Sequence, residues 1–256
     1  MFTTERQNKI LELIKKQRAV TTVDIVKRFD VSVETVRRDF IAMEKNNLLK
    51  RVHGGAVAVG EMKEYFSFEK RIAENDKLKE ELSRVALRFV SDGDIIAVDT
   101  GSTAVYFAKT LKESNLNLTV VTHSIDVFNI LSPSESVKVI LCGGEFMKKE
   151  NSFFGELTCR MLDNIRVQKA FVFPLSLSLD FGLGDNTPEL MRIQKKLLGI
   201  AGEVYVLADS SKFEKTSLYK TSDMSKEYTY ITDSAVSDDI KNIYAENGVK
   251  LVMSGD

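Results

Sequence analysis

The first sixty residues contain three stretches in which apolar residues recur at helical spacing. The first two predict helices over residues 6–16 and 22–29. Their apolar faces are Ile10, Leu13, Ile14, Ile25, Val26 and Phe29. A third helix is expected from Val33 to about Asn46, capped by Ser32. Extended runs at 49–52 and 56–59 then flank a Gly-Gly pair and predict a hairpin, which completes the order of a winged helix-turn-helix.

The rest of the chain alternates β-branched apolar runs with helical stretches. The predicted strands are Ile95–Val98, Leu118–Thr122, Val137–Leu141, Ala170–Phe173, Val204–Leu207, Tyr228–Ile231 and Lys250–Met253. Alternation of strand and helix indicates an α/β domain with a larger, mostly parallel sheet covered by helices. We therefore expect a winged helix-turn-helix at 1–59, a charged linker at 60–75 and an α/β effector-binding and oligomerisation domain at 76–256.

The two predicted domains also differ in net charge. Residues 1–60 hold 12 basic and 7 acidic residues, whereas the remainder holds 24 basic and 30 acidic. An excess of basic residues in the first domain favours binding to a polyanion, although the solvated surface of a helical domain can have the same excess. The start of the chain lacks a secretory pattern and no apolar run approaches the ~20 residues of a membrane helix, so a cytoplasmic protein is expected.

The few cysteines and histidines narrow the possible chemistry. Cys142 and Cys159 lack metal-ligand spacing, and only His53 and His123 are present. These counts favour reduced, buried thiols and leave little room for zinc or for catalysis by histidine. We expect no metal, no cofactor and no enzymatic activity.

The third helix carries the strongest candidate for contact with nucleic acid. At about 100° per residue, Val33, Val36, Phe40 and Met43 fall on one core-facing stripe, and Arg38 lies nearly opposite. Arginine on such a face can bind guanine bidentately in a major groove. The candidate DNA-binding residues are Ser32, Glu34, Thr35, Arg37, Arg38, Lys50, Arg51 and His53. From the helices alone, a small solvated bundle with a charged face is an equal alternative.

The exact residue strings decide between these readings. Ser32-x-x-Thr35-Val36-Arg37-Arg38-Asp39, then Lys50-Arg51-Val52-His53-Gly54-Gly55-Ala56, closely resembles the DeoR family of bacterial regulators. Arg6 with Ile10, and Phe68-x-x-Arg71-x-x-x-Asn75-x-x-x-Lys79, are similar to further family motifs. The resemblance runs from about residue 3 to about residue 234. It implies a repressor that binds double-stranded operator DNA and responds to a phosphorylated sugar.

Several predicted strands end in loops suited to an anion. The first leads into Asp99-Thr100-Gly101-Ser102-Thr103 at the start of a helix, where free amides and hydroxyls attract phosphate. Thr122-His123-Ser124, Cys142-Gly143-Gly144-Glu145 and Asp209-Ser210-Ser211-Lys212 also follow strands, and such loops share a crevice in an open sheet. The family's effector domain resembles the ribose-5-phosphate isomerase fold. The resemblance assigns effector binding to Asp99, Thr100, Gly101, Ser102, Thr103, Thr122, Gly143 and Lys212.

One departure from the family keeps two alternatives open. After the strand at 170–173 the family has a glycine-containing loop, whereas this chain has Pro174-Leu175-Ser176-Leu177-Ser178. A sugar-phosphate isomerase would need a carboxylate base near this loop, and Asp180, Asp185 and Glu189 lie slightly beyond it. The other alternative is a DNA-binding protein whose second domain only forms a homo-oligomer.

Overall fold

A computed structural model describes residues 3–17, 19–46, 48–52, 54–58 and 68–254 of the chain. The first part contains, in order, α1 (Thr3–Gln17), β1 (Ala19–Thr21), α2 (Thr22–Phe29), α3 (Val33–Lys45), β2 (Leu49–Val52) and β3 (Gly55–Ala58). The hairpin of β2 and β3 is antiparallel, and β1 adds to its other side to give the order β1-β3-β2. The predicted winged helix-turn-helix is confirmed.

The second part begins with the helices α4 (Phe68–Ala73) and α5 (Asp76–Leu87). It continues with β4 (Ile95–Val98), α6 (Ser102–Ser114), β5 (Leu118–Thr122), α7 (Ile125–Leu131), β6 (Val137–Leu141), β7 (Glu145–Met147), β8 (Ser152–Phe154), α8 (Glu156–Asp163) and β9 (Val167–Val172). It ends with β10 (Ser176–Ser178), β11 (Gly182–Asp185), α9 (Pro188–Ile200), β12 (Ala201–Leu207), β13 (Tyr219–Ser222), β14 (Thr229–Ile231), α10 (Asp238–Glu246) and β15 (Lys250–Val252).

Seven parallel strands form the central sheet, in the order β15-β14-β12-β9-β4-β5-β6. Each of the seven strands expected from the sequence is present, so the predicted α/β fold is confirmed. Side chains alternate between the two faces: Ile96 and Val98 pack in one core with α5, α6 and α7. Ala97 packs in the other core with α8, α9 and α10.

Two small sheets extend beyond the predicted elements. The β7–β8 hairpin follows the edge strand β6, and β10, β11 and β13 form an antiparallel sheet. Leu177, in the segment that departs from the family pattern, is buried in the core on the β10 strand. These strands are three or four residues long, too short to show a periodic pattern.

The expected core stripe of α3 is correct except at its first residue. Val36, Phe40 and Met43 are buried, but Val33 is 48% exposed. Val33 is the first residue of the helix, and that turn extends beyond the core formed by α1 and α2. Helix α4 falls within the segment expected to be a linker and contacts α6.

A buried ion pair ties α1 to α3. Arg6 donates from both Nε and Nη2 to the Asp39 carboxylate, with Nη2 3.1 Å from Oδ1, and Gln7 Nε2 lies 3.2 Å from the same oxygen. Arg6 and Asp39 are 6% and 2% exposed. A buried pair costs desolvation, but removal of one partner leaves the other charge without compensation.

Replacing Asp39 with alanine is therefore expected to destabilise the N-terminal unit by about 3–5 kcal/mol. The measurement is urea unfolding followed by circular dichroism. Glu5→Ala, which removes the exposed Glu5–Lys9 pair on the same helix α1, serves as the control and should leave the midpoint unchanged. Equal midpoints for Asp39→Ala and Glu5→Ala would contradict the structural role of the buried pair.

Candidate functional site

Helix α3 presents a polar face to solvent. Glu34, Arg37 and Arg38 are exposed, and Arg38 Nε lies 3.7 Å from Glu34 Oε1 one turn away. Ser32 caps the helix by accepting a hydrogen bond from the Thr35 amide at 3.1 Å, and the two hydroxyls lie 2.8 Å apart. The cap orients the first turn, so the exposed side chains project from a fixed helix end.

The hairpin places the cations Lys50 and Arg51 beside this helix. Lys50 is exposed. Arg51 donates from its amide and from Nε to the Glu44 carboxylate on α3, at 2.7 and 2.6 Å. These bonds hold the pKa of Glu44 below its ordinary value. They fix the hairpin against α3, while His53, the remaining candidate on the hairpin, lies outside the described residues.

The turn of the hairpin meets the second half of the chain at Tyr219. Gly54 has φ +84°, and a Cβ atom on this residue would lie 2.1 Å from the Tyr219 hydroxyl. A Cβ on Gly55 would lie 2.1 Å from the Val20 carbonyl oxygen of β1 and 2.8 Å from Leu218 Cδ1. A larger residue at Gly54 would therefore clash with the Tyr219 side chain, and one at Gly55 would clash first with the backbone of β1.

A pocket opens at the carboxyl ends of three adjacent strands, β4, β9 and β12. It is lined by Arg71, Thr100, Gly101, Ser102, Thr103, Glu150, Phe173, Pro174, Leu175, Asp185, Leu190, Gln194, Leu207, Ala208, Asp209 and Lys212. Five of the eight residues expected to bind an effector are among them, namely Thr100, Gly101, Ser102, Thr103 and Lys212. Parallel pairing brings these distant loops together, because the strands all end at one edge of the sheet.

Two groups that attract anions, a helix start and a lysine, lie at one end of the pocket. Gly101, with φ 131°, is the N-cap of α6 and gives it no side-chain cap, so the first amides of the helix lack an internal partner. Lys212 is partly buried, and burial lowers its pKa. Among the described residues, its ammonium group makes no hydrogen bond or ion pair. This combination is typical of an anion-binding site.

A partly buried arginine brings helix α4 to the same pocket. Arg71 Nη2 lies 2.6 and 2.7 Å from the two carboxylate oxygens of Glu150, which is 2% exposed. The Lys79 ammonium donates to the carbonyls of Arg71, Ile72 and Glu74 at the end of α4. Burial lowers the pKa of Lys79 to about 8.

Sequence reasoning missed Arg71, Glu150 and Asp185 as pocket residues. The signal for Arg71 was present in the Phe68-x-x-Arg71-x-x-x-Asn75-x-x-x-Lys79 string. In the structure Arg71 lines the pocket, Asn75 adopts φ 57° between the two helices, and Lys79 binds the end of α4. No local pattern marks Glu150, because it lies in the turn between β7 and β8.

Asp99 lies behind the pocket wall rather than in it. Its carboxylate lies 2.9 Å from His123 Nε2 and accepts from Gln194 Nε2 at 3.0 Å and from the Phe173 amide at 3.4 Å. His123 Nδ1 lies 2.8 Å from the Phe153 carbonyl, which holds the imidazole ring beside Asp99. Asp99 is thus a buried node that links β4, β9 and α9.

Thr122 and Gly143 also lie outside the pocket lining. Thr122 Oγ1 accepts from the Ser124 amide at 3.1 Å, and the Gly143 carbonyl accepts from Thr158 Oγ1 at 3.1 Å. Thr122 ends β5 and Gly143 follows β6, and these two strands lie beyond β4 on the side away from β9. The departure segment, by contrast, does reach the pocket through Pro174 and Leu175.

The described residues show little metal or thiol chemistry. They contain no group of three or more histidine, cysteine or acidic residues placed to hold a metal ion. Cys142 and Cys159 are unpaired and buried, and burial raises the pKa of Cys142 to about 11. No helix in the described ranges has the length and hydropathy needed to cross a bilayer.

Comparison with known proteins gives the same two-part picture. The model of the DeoR-like helix-turn-helix domain matches residues 6–61, and that of the DeoR C-terminal sensor domain matches residues 74–234. The chain belongs to the DeoR family. It is therefore a DNA-binding transcriptional regulator, as its residue strings indicate.

Individual relatives align along nearly their full length. The chain is 31% identical to the uncharacterized HTH-type transcriptional regulator YulB of Bacillus subtilis (strain 168), over 92% of this chain and 91% of the relative. It is 32% identical to the lactose phosphotransferase system repressor of Lactococcus lactis subsp. lactis, over 91% of each. Among solved structures, ribose 5-phosphate isomerase A of Methanocaldococcus jannaschii matches 55% of each chain, at 23% identity and a TM-score of 0.42.

The position of Asp99 generates a test of this DeoR-family regulator. Asp99→Asn disturbs three buried hydrogen bonds, so it is expected to lower the free energy of unfolding by about 1–3 kcal/mol. Thermal and urea unfolding measure the loss. Asp223→Asn, on an exposed carboxylate, is the control and should unfold like wild type. Unchanged stability together with weaker phosphate binding would instead make Asp99 a ligand contact.

Proposed function

We propose that this regulator binds a phosphorylated sugar in the strand-end pocket and that the sugar controls its affinity for operator DNA. The observation that carries the proposal is the Lys212 ammonium, which has no hydrogen-bond partner among the described residues and shares its pocket with the uncapped start of α6. A phosphate supplies the charge that both groups lack. The hydroxyls of Ser102 and Thr103 add donors beside it.

Operator recognition is assigned to α3 and the hairpin. Arg37, Arg38, Lys50 and Arg51 contact phosphates or guanine, Glu34 and Thr35 help to select bases, and Ser32 and His53 approach the backbone. Two copies of the chain, as a homodimer or within a larger oligomer, place two recognition helices on spaced half-sites. In this proposal residues 1–59 bind DNA, residues 60–75 connect the two domains, and residues 76–256 bind the effector and form the oligomer. The protein acts in the cytoplasm.

The contact at Tyr219 gives the effector a route to DNA. Tyr219 pairs with Asp185 across β13 and β11, and Asp185 lines the pocket. The Tyr219 hydroxyl meets the hairpin turn at Gly54. An effector that displaces β11 therefore displaces the hairpin beside the DNA. Its influence is limited to its differential affinity for the two arrangements, typically about 1–3 kcal/mol.

The sign of regulation follows the family expectation of a repressor released by its effector. The relatives' names include both signs: the lactose phosphotransferase system repressor of Lactococcus lactis and the L-fucose operon activator of Haemophilus influenzae, which is 28% identical over 97% of this chain and 99% of its own length. We therefore propose that the protein represses a sugar-utilisation operon and that its effector relieves the repression.

A sugar-phosphate isomerase is the second candidate, favoured by one observation. Asp185, one of the carboxylates that the sequence left open as a base, lines the pocket together with Glu150. Glu150 binds Arg71 and Asp209 accepts two hydrogen bonds from Ser211, whereas Asp185 accepts one, so Asp185 is the candidate base for proton transfer. Turnover of aldose or ketose phosphates by the purified protein would establish this activity.

The direct test is a mobility shift on DNA from upstream of the regulator's own gene and its neighbours. The protein is titrated with a panel of sugar phosphates, with the corresponding free sugars as controls. Specific binding that one phosphate ester weakens, and its free sugar does not, is the expected result. Specific binding that no ester alters would leave a regulator whose second domain only assembles, and would contradict the sensor role.

Arg38 tests the DNA contacts separately. Arg38→Ala is expected to reduce discrimination between operator and random DNA by about 1–3 kcal/mol, because a bidentate guanine contact is lost. Arg84→Ala, an exposed arginine on α5 with a similar partner one turn away, is the matched control. If Arg38→Ala weakens operator and random DNA equally, Arg38 contacts phosphate and does not select bases.

A further inference from the structure

The charged side chains of the pocket differ in how many hydrogen bonds they make with the protein. Arg71 and Glu150 bind each other, and Asp209 accepts from the Ser211 amide at 2.9 Å and from the Ser211 hydroxyl. Asp185 accepts a single hydrogen bond, from the Thr187 amide at 2.8 Å, and no other from the described residues. An ionised carboxylate has about four acceptor positions. Asp185 therefore has unused acceptor capacity inside a binding pocket.

The backbone holds Asp185 in a fixed position. It ends β11, where a register shift between Leu183 and Gly184 precedes the pairing with Tyr219. The next element, α9, begins at Pro188 directly after Thr187. Asp185 is 5% exposed, so its carboxyl group is confined between a strand pair and a helix start. Because its position is fixed, the Asp185 carboxylate can accept a hydrogen bond only from a ligand group in the right place and orientation.

The surroundings of Asp185 are mostly anionic. Burial is the main cause that raises its pKa to about 7, and the carboxylates of Glu150 and Asp99 raise it further. The Thr187 amide and the Arg71 guanidinium act in the opposite direction. A phosphate or carboxylate placed here would meet like charge, whereas a hydroxyl would supply the missing donor.

We propose that Asp185 is the specificity-determining residue that recognises the hydroxyl groups of the effector's sugar chain, while Lys212 and the start of α6 hold its phosphate. This inference rests on the proposed function. It assigns the effector to the monophosphates of neutral polyhydroxy sugars. Bisphosphates and phosphorylated sugar acids are excluded, because their second anion would face the carboxylate of Asp185.

The test compares inorganic phosphate, which can occupy only the anion end, with hexose 6-phosphates and pentose 5-phosphates, by titration calorimetry on the full chain. In Asp185→Asn, inorganic phosphate should bind within about twofold of wild type, and the best sugar monophosphate should bind at least about tenfold more weakly. Asp185→Ser provides a second variant if the asparagine form is unstable. Asp180→Asn, an exposed acid in the β10–β11 turn, is the matched control and should bind both as wild type does.

A pH series gives an independent readout. As pH rises from 6 to 8, Asp185 loses its proton and becomes a stronger acceptor. Inorganic phosphate and sugar phosphates ionise over different pH ranges, so the preference of wild type for sugar phosphate over inorganic phosphate is divided by the same preference of Asp185→Asn at each pH, which removes the titration of both ligands. This quotient should increase several-fold between pH 6 and 8, and a quotient that does not change with pH would contradict the role of Asp185.

Two results would overturn the proposal. One is an equal effect of Asp185→Asn on inorganic phosphate and on sugar phosphate, including no effect on either. The other is a wild-type protein that binds inorganic phosphate as tightly as every sugar phosphate. Failure of the sensor role is distinguishable, because it appears in the mobility shift as operator binding that no sugar phosphate changes, whatever the calorimetry of Asp185→Asn shows.

Discussion

Parallel pairing of β12, β9 and β4 is the constraint on which the pocket depends. Strands that run in one direction end at one edge, so the loops that begin at Thr100, Phe173 and Ala208 converge although they are far apart in the chain. Helix α6 starts at the same edge with Gly101 as an N-cap that supplies no side chain. Its free amides and Lys212 place two groups that attract anions at this end of the sheet.

The sequence was sufficient for the sheet and for the loop at the start of α6 that lines the pocket. Strands such as those at 95–98 and 118–122 are buried on both faces, which produces continuous apolar runs that a reader of sequence can recognise. The loop from Thr100 to Thr103 follows such a strand directly. The position of Val33 was misjudged, because helical periodicity does not show where the supporting core ends.

The residues on the opposite side of the pocket could not be predicted from the sequence in the same way. Asp185 ends a four-residue strand whose partner, β13, begins at Tyr219, and Glu150 lies in a hairpin turn. Their proximity to the anion end is a property of tertiary packing. Asp99 illustrates the converse: its place in a strand-end motif suggested ligand contact, but the structure surrounds it with His123 and Gln194.

We propose that the Lys212 ammonium binds the effector's phosphate and that this contact controls DNA binding. The operator affinity of Lys212→Gln, measured with and without the sugar phosphate that acts on wild type, tests this role. We expect wild-type operator affinity in the absence of the effector and loss of the response to it, because glutamine lacks the charge that binds phosphate. A Lys212→Gln protein that responds at the same effector concentration as wild type would show that Lys212 does not bind the phosphate.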